Sequence, residues 1–340
     1  RQPRFASMSS PPASTFVALL LVAGCLTIWT GVIRRLRHGR PVLRFAARQP
    51  VPWNAGEVFV AVSLWFLVRM MLVRAVYLWR SDRSGDEPVE HFDPGEPDWT
   101  LIASDALASV VGVVLVAVAL WLVARATWRD LGFNRAWRHD AKLGLLAFVA
   151  IAPPVYAVQW LLTQWIPSEH PISNIVEQYP LVALLSAVVV APLAEEFIFR
   201  VVLQGWLEKR FQVGTDVCEH TVVRSADNVD ASAVDVVPTE EAAASSMAET
   251  STTADSSQYD ASAIAPDSAA RPGIEMAIPI LITSGCFAAI HASHGPDPIP
   301  LFLFALVLGY LYQRTHSIWP SVVTHASLNL SSLAVLWLEG

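Results

Sequence analysis

The stretch "LVALLSAVVVAPLAEEFIFRVVLQGW", Leu181 to Trp206, decides how the rest of the chain is read. It is long and apolar enough to cross a bilayer, which takes about 20 such residues. Yet Glu195, Glu196 and Arg200 lie inside it. A lone charge at bilayer depth costs about 2.5 kcal/mol or more, so such residues mark paired or functional positions. Adjacent helix residues point about 100° apart, whereas residues four apart share a face. Glu196 and Arg200 can therefore neutralise each other. Glu195 lacks that partner and must face something else. It is the candidate base or ligand, with Glu196 and Arg200 as its support.

The rest of the chain reads in the same solvent. Of its 340 residues, 54% are hydrophobic and 16% charged, with a mean hydropathy of +0.43. Soluble domains are nearer a quarter charged. The 13 tryptophans suit interfacial belts. Eight apolar segments are candidate spans: Thr15–Ile33, Val58–Trp79, Leu101–Ala124, Leu143–Ile166, Leu181–Trp206, Glu275–His291, Ile299–Tyr312 and Ile318–Leu338. The expected fold is all-α, a polytopic membrane bundle of about eight transmembrane helices. Pro153 and Pro154 predict a kink in the fourth. Arg69, Arg74 and Asp105 are read as structural, near span ends or snorkelling. "LVAGC", ending at Cys25, resembles a lipoprotein cleavage box, but the apolar run continues to Ile33, which favours a span. Cys25, Cys218 and Cys286 are too scattered for a disulfide framework or a metal spacing.

Orientation follows from the loops. Arg34, Arg35, Arg37, Arg40, Arg44 and Arg48 follow the first span, and Arg125, Arg129, Arg135, Arg138 and Lys142 follow the third. Acidic residues dominate the loop between the second and third. The basic loops are expected in the cytoplasm. Residues 212–273 stand apart, rich in Ala, Ser, Thr, Val and Asp. Eleven acidic residues against two basic ones give this segment −9; the whole chain carries −7, which leaves +2 for the remainder. Such a composition cannot bury enough apolar surface to fold alone, so a disordered acidic cytoplasmic insert is expected. Residues 1–142 are expected to form three N-terminal spans with basic loops, and 143–211 with 274–340 the core that carries chemistry. No internal repeat is visible, which disfavours a transporter built from two halves.

Two further pieces share the four-residue spacing of Glu196 and Arg200. They are "FAAIH", Phe287 to His291, and "HASLN", His325 to Asn329. Imidazole can bind a metal or hydrogen-bond an oxyanion, and an asparagine amide can do the latter. His294 is three residues beyond His291, but Gly295 and Pro296 end the helix there, so it is read as outside the site. His291 joins the others only if its helix starts above the membrane, since it lies about 24 Å along from Glu275.

The pieces "EEFIFR", "FAAIH" and "HASLN", in this order, resemble the CAAX prenyl protease and bacteriocin-processing family of intramembrane metalloproteases, also called the abortive-infection family. Its pattern is Glu-Glu-x-x-x-Arg, then Phe-x-x-x-His, then His-x-x-x-Asn. The resemblance covers roughly Leu181 to Leu338 without the insert. It implies an intramembrane endopeptidase acting on a membrane-associated or lipidated protein, with no nucleic-acid partner. Glu195 and His291 would activate water, and His325 and Asn329 would hold the oxyanion. Glu196, Arg200 and Phe287 would support them. The resemblance also implies zinc as a possible cofactor, with Glu195, His291 and His325 as its ligands. The expected location is a plasma (inner) membrane, with the site towards the cytoplasm. The alternative is a non-catalytic scaffold, or a metal or proton transporter, that keeps the fold.

Overall fold

The computed structural model describes residues 13–46, 50–84, 99–133, 136–166, 178–211, 276–292 and 297–339. The expectations for 212–273 and for His294 lie outside these. The described residues form helices and no strand. They are α1 (Ala13–Arg37), α2 (Ala55–Ser84), α3 (Trp99–Val123), α4 (Trp137–Thr163), α5 (Pro180–Arg210), α6 (Ile278–Ile290), α7 (Pro298–Thr315) and α8 (Ile318–Glu339). Each corresponds to one of the eight apolar segments.

The protein is an integral membrane protein, and helices α1 to α5 are long and apolar enough to span. Helix α6 is shorter than its apolar segment, with 13 residues. At 1.5 Å per residue it extends about 20 Å, less than a core of about 30 Å. Pro279 occupies its first turn, where a missing N–H costs nothing, and sets this later start.

Helix pairs α2–α3, α4–α8 and α6–α7 form the main packing contacts, and α1 lies against α4. Gly144 sets the α4–α8 approach. A Cβ there would stand 2.7 Å from Pro320 O and 2.8 Å from Val323 Cβ. Thr324 Oγ1 uses the closeness to donate to Gly144 O at 3.0 Å. Outward faces keep large apolar side chains, such as Leu19, Phe59, Trp121 and Trp160, as lipid solvent permits.

The carbonyl that Pro154 leaves without a partner in α4 is capped from outside. Pro154 has no N–H for the carbonyl four residues back, Ala150 O. Trp29 Nε1 donates to that oxygen at 3.0 Å and Cys25 Sγ at 3.3 Å. Both donors come from α1, and Cys25 has its hydrogen bond inside the bundle.

Arg69 and Asp105, read as structural, are paired with each other. They form a two-pronged pair between α2 and α3: Nε to Oδ1 at 2.9 Å, and Nη2 to Oδ2 at 2.7 Å. Pairing neutralises both charges.

Candidate active site

Helix α5 is not uniformly α-helical. Leu185–Val190 and Phe197–Gln204 are π-helical, and the α-helical turn Ala191–Glu196 lies between them. π-turns carry i→i+5 bonds and recur at functional sites. The first π-turn has a chemical cause. Ala191 N–H donates to Ser186 O, five residues back. The next residue, Pro192, has no N–H to offer Ala187 O. Asn329 Nδ2 supplies the missing donor from α8 at 2.8 Å. In the second π-turn, Val202 O receives Trp53 Nε1 at 3.1 Å, from the segment leading into α2. Thus two side chains from distant parts of the chain cap the carbonyls on either side of the glutamates.

Glu196 and Arg200 are fully buried and paired, Nε to Oε2 at 3.1 Å. His325 Nδ1 donates to the other oxygen, Glu196 Oε1, at 3.1 Å. That bond orients the imidazole and aims Nε2 at Glu195, whose Oε2 lies 3.9 Å away. Oε2 is buried and has no hydrogen-bond partner among the described residues. Neighbouring glutamates therefore do different work. Glu196 holds a histidine and an arginine, while Glu195 presents an unsatisfied oxygen to the same histidine.

His291 caps the end of α6. Its Nδ1 donates to Phe287 O at 2.8 Å, which makes Nε2 the lone-pair nitrogen. Phe287 is fully buried and touches both histidines, with ring centroids 4.9 Å from His291 and 5.6 Å from His325. Phe199 and the Arg200 guanidinium lie against the same ring. Glu195 sits within the fields of His325, His291, Glu196 and Arg69. The short α6 thus brings His291 to the cluster, because a helix starting at Ile278 ends beside Phe287.

The sequence reading missed four members of the network. Arg200 Nη1 donates to Thr283 Oγ1 at 3.1 Å, and Thr283 Oγ1 lies 3.4 Å from Gln204 Oε1. Gln204 Nε2 donates to Glu208 Oε1 at 2.9 Å and to Gly309 O at 2.8 Å. Glu208 Oε2 meets His316 Nε2 at 3.2 Å. His316 Nδ1 reaches Ala46 O at 2.7 Å. A signal was present. Glu196, Arg200, Gln204 and Glu208 recur every fourth residue, as do Thr283, Phe287 and His291.

Among the described residues, no three His, Cys, Asp or Glu side chains are gathered as a metal site. His325 has one nitrogen on Glu196, and Asn329 donates to a backbone carbonyl. The residues that would hold a zinc ion are Glu195, His291 and His325. The Nδ1 hydrogen bonds of the two histidines are of the kind that orient metal-ligating imidazoles, and the ion would supply Lewis-acid activation of water there.

The fold and the cluster define a class: a polytopic helical membrane protein with a carboxylate–histidine centre inside the bundle. The family described as Type II CAAX prenyl endopeptidase Rce1-like matches residues 177–223 and 264–331, which hold all three motifs. This agrees with the resemblance drawn from the motifs and supports a protease. No curated protein matches the chain, and no solved structure does.

Proposed function

We propose that the protein is an intramembrane endopeptidase that hydrolyses a peptide bond of a membrane-associated or lipidated protein near the cytoplasmic face of a plasma (inner) membrane. The observation that carries this reading is Glu195 Oε2, a buried carboxylate oxygen without a hydrogen bond, facing His325 Nε2 at 3.9 Å. An unsatisfied buried acceptor is costly, and persists where a reacting group is to be held.

Glu195 takes the proton of the attacking water and returns it to the leaving amine nitrogen as the C–N bond breaks, and His291 Nε2 steadies that water. The developing oxyanion is held by His325 Nε2–H and by Asn329. An asparagine amide has two N–H groups. One is used on Ala187 O, which leaves one for the oxyanion. Glu196 orients the imidazole of His325 through Nδ1, and Arg200 holds Glu196 in place. Proton transfer by a positioned base contributes about 10²–10⁴-fold.

Glu195→Gln keeps the shape and removes the base. Cleavage of an S-prenylated peptide by purified protein in detergent is expected to fall at least about 100-fold. The variant's melting curve should match that of the parent. Zinc, which the resemblance allows, is tested in the same assay by metal analysis and a strong chelator. Retained turnover in the Glu195→Gln variant sinks the base assignment. Activity that vanishes with chelator and returns with zinc sinks the metal-free path.

A further inference from the structure

The Arg69–Asp105 pair lies outside the segments matched by the family and outside all three motifs. Its position follows from the bundle's own hydrogen bonds. Lys209 Nζ donates to Trp53 O and to Asn54 Oδ1, both at 3.0 Å, so the start of α2 and the end of α5 lie level. Arg69 is 14 residues into α2 from Ala55, and Glu195 is 15 residues back from Arg210. At 1.5 Å per residue these are depths of about 21 and 22 Å. The guanidinium therefore stands at the level of Glu195. Helix α3, which carries Asp105, packs on the π-turn and the α-turn that lead to Glu195, and α2 packs on the π-turn beyond it. Glu195 lies within the field of Arg69.

The pair is not sealed. Its side chains are 29% and 41% exposed for Arg69 and Asp105, whereas Glu196 and Arg200 are 0% exposed. A bare ion pair against lipid tails at this depth is costly. An exposed pair is sustained where it borders a polar cavity or a polar ligand. The guanidinium is also held rigidly. Asp105 grips Nε and Nη2, and the ring of the buried Trp65 lies 4.8 Å beneath. Arginine has five N–H donors. Asp105 takes one from Nε and one from Nη2. Nη1, with two, makes no hydrogen bond among the described residues, and one on Nη2 is left. These lie along the outer edge of the fork, and a pair of parallel donors there matches a carboxylate.

We propose that Arg69, oriented by Asp105, binds the C-terminal α-carboxylate of the peptide substrate beside the cleavage site. Arg69 is then a specificity residue, and Asp105 positions it. This inference rests on the protease reading above. It gives the enzyme a way to measure distance from the chain end. A carboxylate three residues beyond the attacked carbonyl lies at most about 10 Å away from it. An internal segment of a long protein has no such anion to offer.

The test uses an S-farnesylated peptide with three residues after the cysteine, made as the free acid and as the C-terminal amide. Binding of both is measured to full-length Glu195→Gln protein in detergent, and cleavage of both by the parent. The acid is expected to bind about tenfold to a hundredfold tighter, the range of a charged hydrogen bond. Arg69→Gln should reduce that ratio to near one by weakening the acid alone. Arg69→Lys should leave a smaller ratio, since the charge remains but the fork does not. Equal binding of acid and amide by protein with Arg69 in place, or no binding of either, overturns the proposal, whether or not any variant folds. A ratio that survives Arg69→Gln also overturns it. If the acid binds preferentially but neither peptide is cleaved by the parent, the carboxylate site stands and the protease reading fails. If both peptides are cleaved with equal efficiency, the protease reading stands and the carboxylate site fails.

Discussion

Helices α4 and α5 each contain a proline that removes a backbone donor, and the chain treats the two lesions differently. In α4, Pro154 orphans Ala150 O, and the helix stays α-helical through Pro153 and Pro154. Trp29 and Cys25, from the neighbouring α1, supply the donors. In α5, Pro192 orphans Ala187 O, the helix changes to a π-turn, and Asn329 supplies the donor. The chemistry is the same, but the caps differ. Trp29 is an exposed aromatic on α1 with no link to the titratable cluster. Asn329 sits one turn from His325 on α8. Its bond ties α8 to α5 at Ala187, five residues before Pro192 and eight before Glu195. A carbonyl that only needs filling can use any donor within reach. A carbonyl whose cap must hold Glu195 in register with His325 is filled by a residue that belongs to the site.

The sharpest way to break this comparison is a cycle between Pro192 and Asn329. Asn329→Ala leaves Ala187 O buried without a donor and should cost about 1–3 kcal/mol. It should also lower turnover about 10²–10³-fold, the usual loss for one oxyanion donor. Pro192→Ala restores an N–H that the i→i+5 pattern directs at Ala187 O. The double variant should therefore regain the stability of the parent while remaining inactive. Thermal melts in detergent and a cleavage assay read the two quantities separately. If turnover returns with stability, Asn329 acts only through the backbone and the oxyanion has another donor. If stability does not return, the capping account of the bulge is wrong.

These caps also mark where sequence reading stops. The eight segments were legible because a bilayer demands long apolar runs. The Glu196–Arg200 pair was legible because four residues make a helical turn. The stripe continued to Gln204 and Glu208 in plain sight, but it passed unread because a strict four-residue repeat drifts around an ordinary α-helix. It stays on one line here because π-turns widen the helix. The start of α6 at Ile278 could have been taken from Pro279, and the difficulty with the depth of His291 would have vanished. By contrast, nothing local ties Trp53 to Val202, 149 residues away, or Asn329 to Ala187, 142 residues away. A proline announces that a carbonyl is orphaned, but it does not name the side chain that answers. Arg69 and Asp105 were visible as charges, and their pairing is likewise a matter of tertiary contact.

Trp53 offers an intermediate case, and a smaller effect. It caps the second π-turn at Val202 O, as Asn329 caps the first, but it lies beyond the glutamates and touches none of the reacting groups. Trp53→Phe keeps most of the ring and loses the indole N–H. Val202 O also accepts the Gly205 N–H, so the cost should be that of one net hydrogen bond, about 0.5–1.5 kcal/mol. Turnover should fall by less than in Asn329→Ala, since only the path of α5 after Arg200 is affected. A Trp53→Phe protein as inactive as Asn329→Ala would mean that the second π-turn controls the site as tightly as the first.

The smallest effect is expected at the capped carbonyl of α4, and it completes the contrast. Trp29→Phe removes one of two donors to Ala150 O. Cys25 Sγ remains at 3.3 Å, a weaker donor but one already in place. The carbonyl is therefore not left bare, and the cost should be that of a net hydrogen bond, about 0.5–1.5 kcal/mol. The lost indole is partly exposed on α1, so little packing goes with it. The titratable cluster sits on α5, α6 and α8, and α1 packs mainly against α4, so the loss reaches Glu195 only through α4 and α8. A melt lowered by a few degrees with unchanged turnover is the expected pair of readings. Removing Cys25 as well, as Trp29→Phe with Cys25→Ala, should then produce the larger penalty of an orphaned carbonyl, about 1–3 kcal/mol, still with parental turnover. If turnover fell with either variant, the capped carbonyl of α4 would be coupled to the site through α8, and the two prolines would be parts of one device rather than two separate repairs.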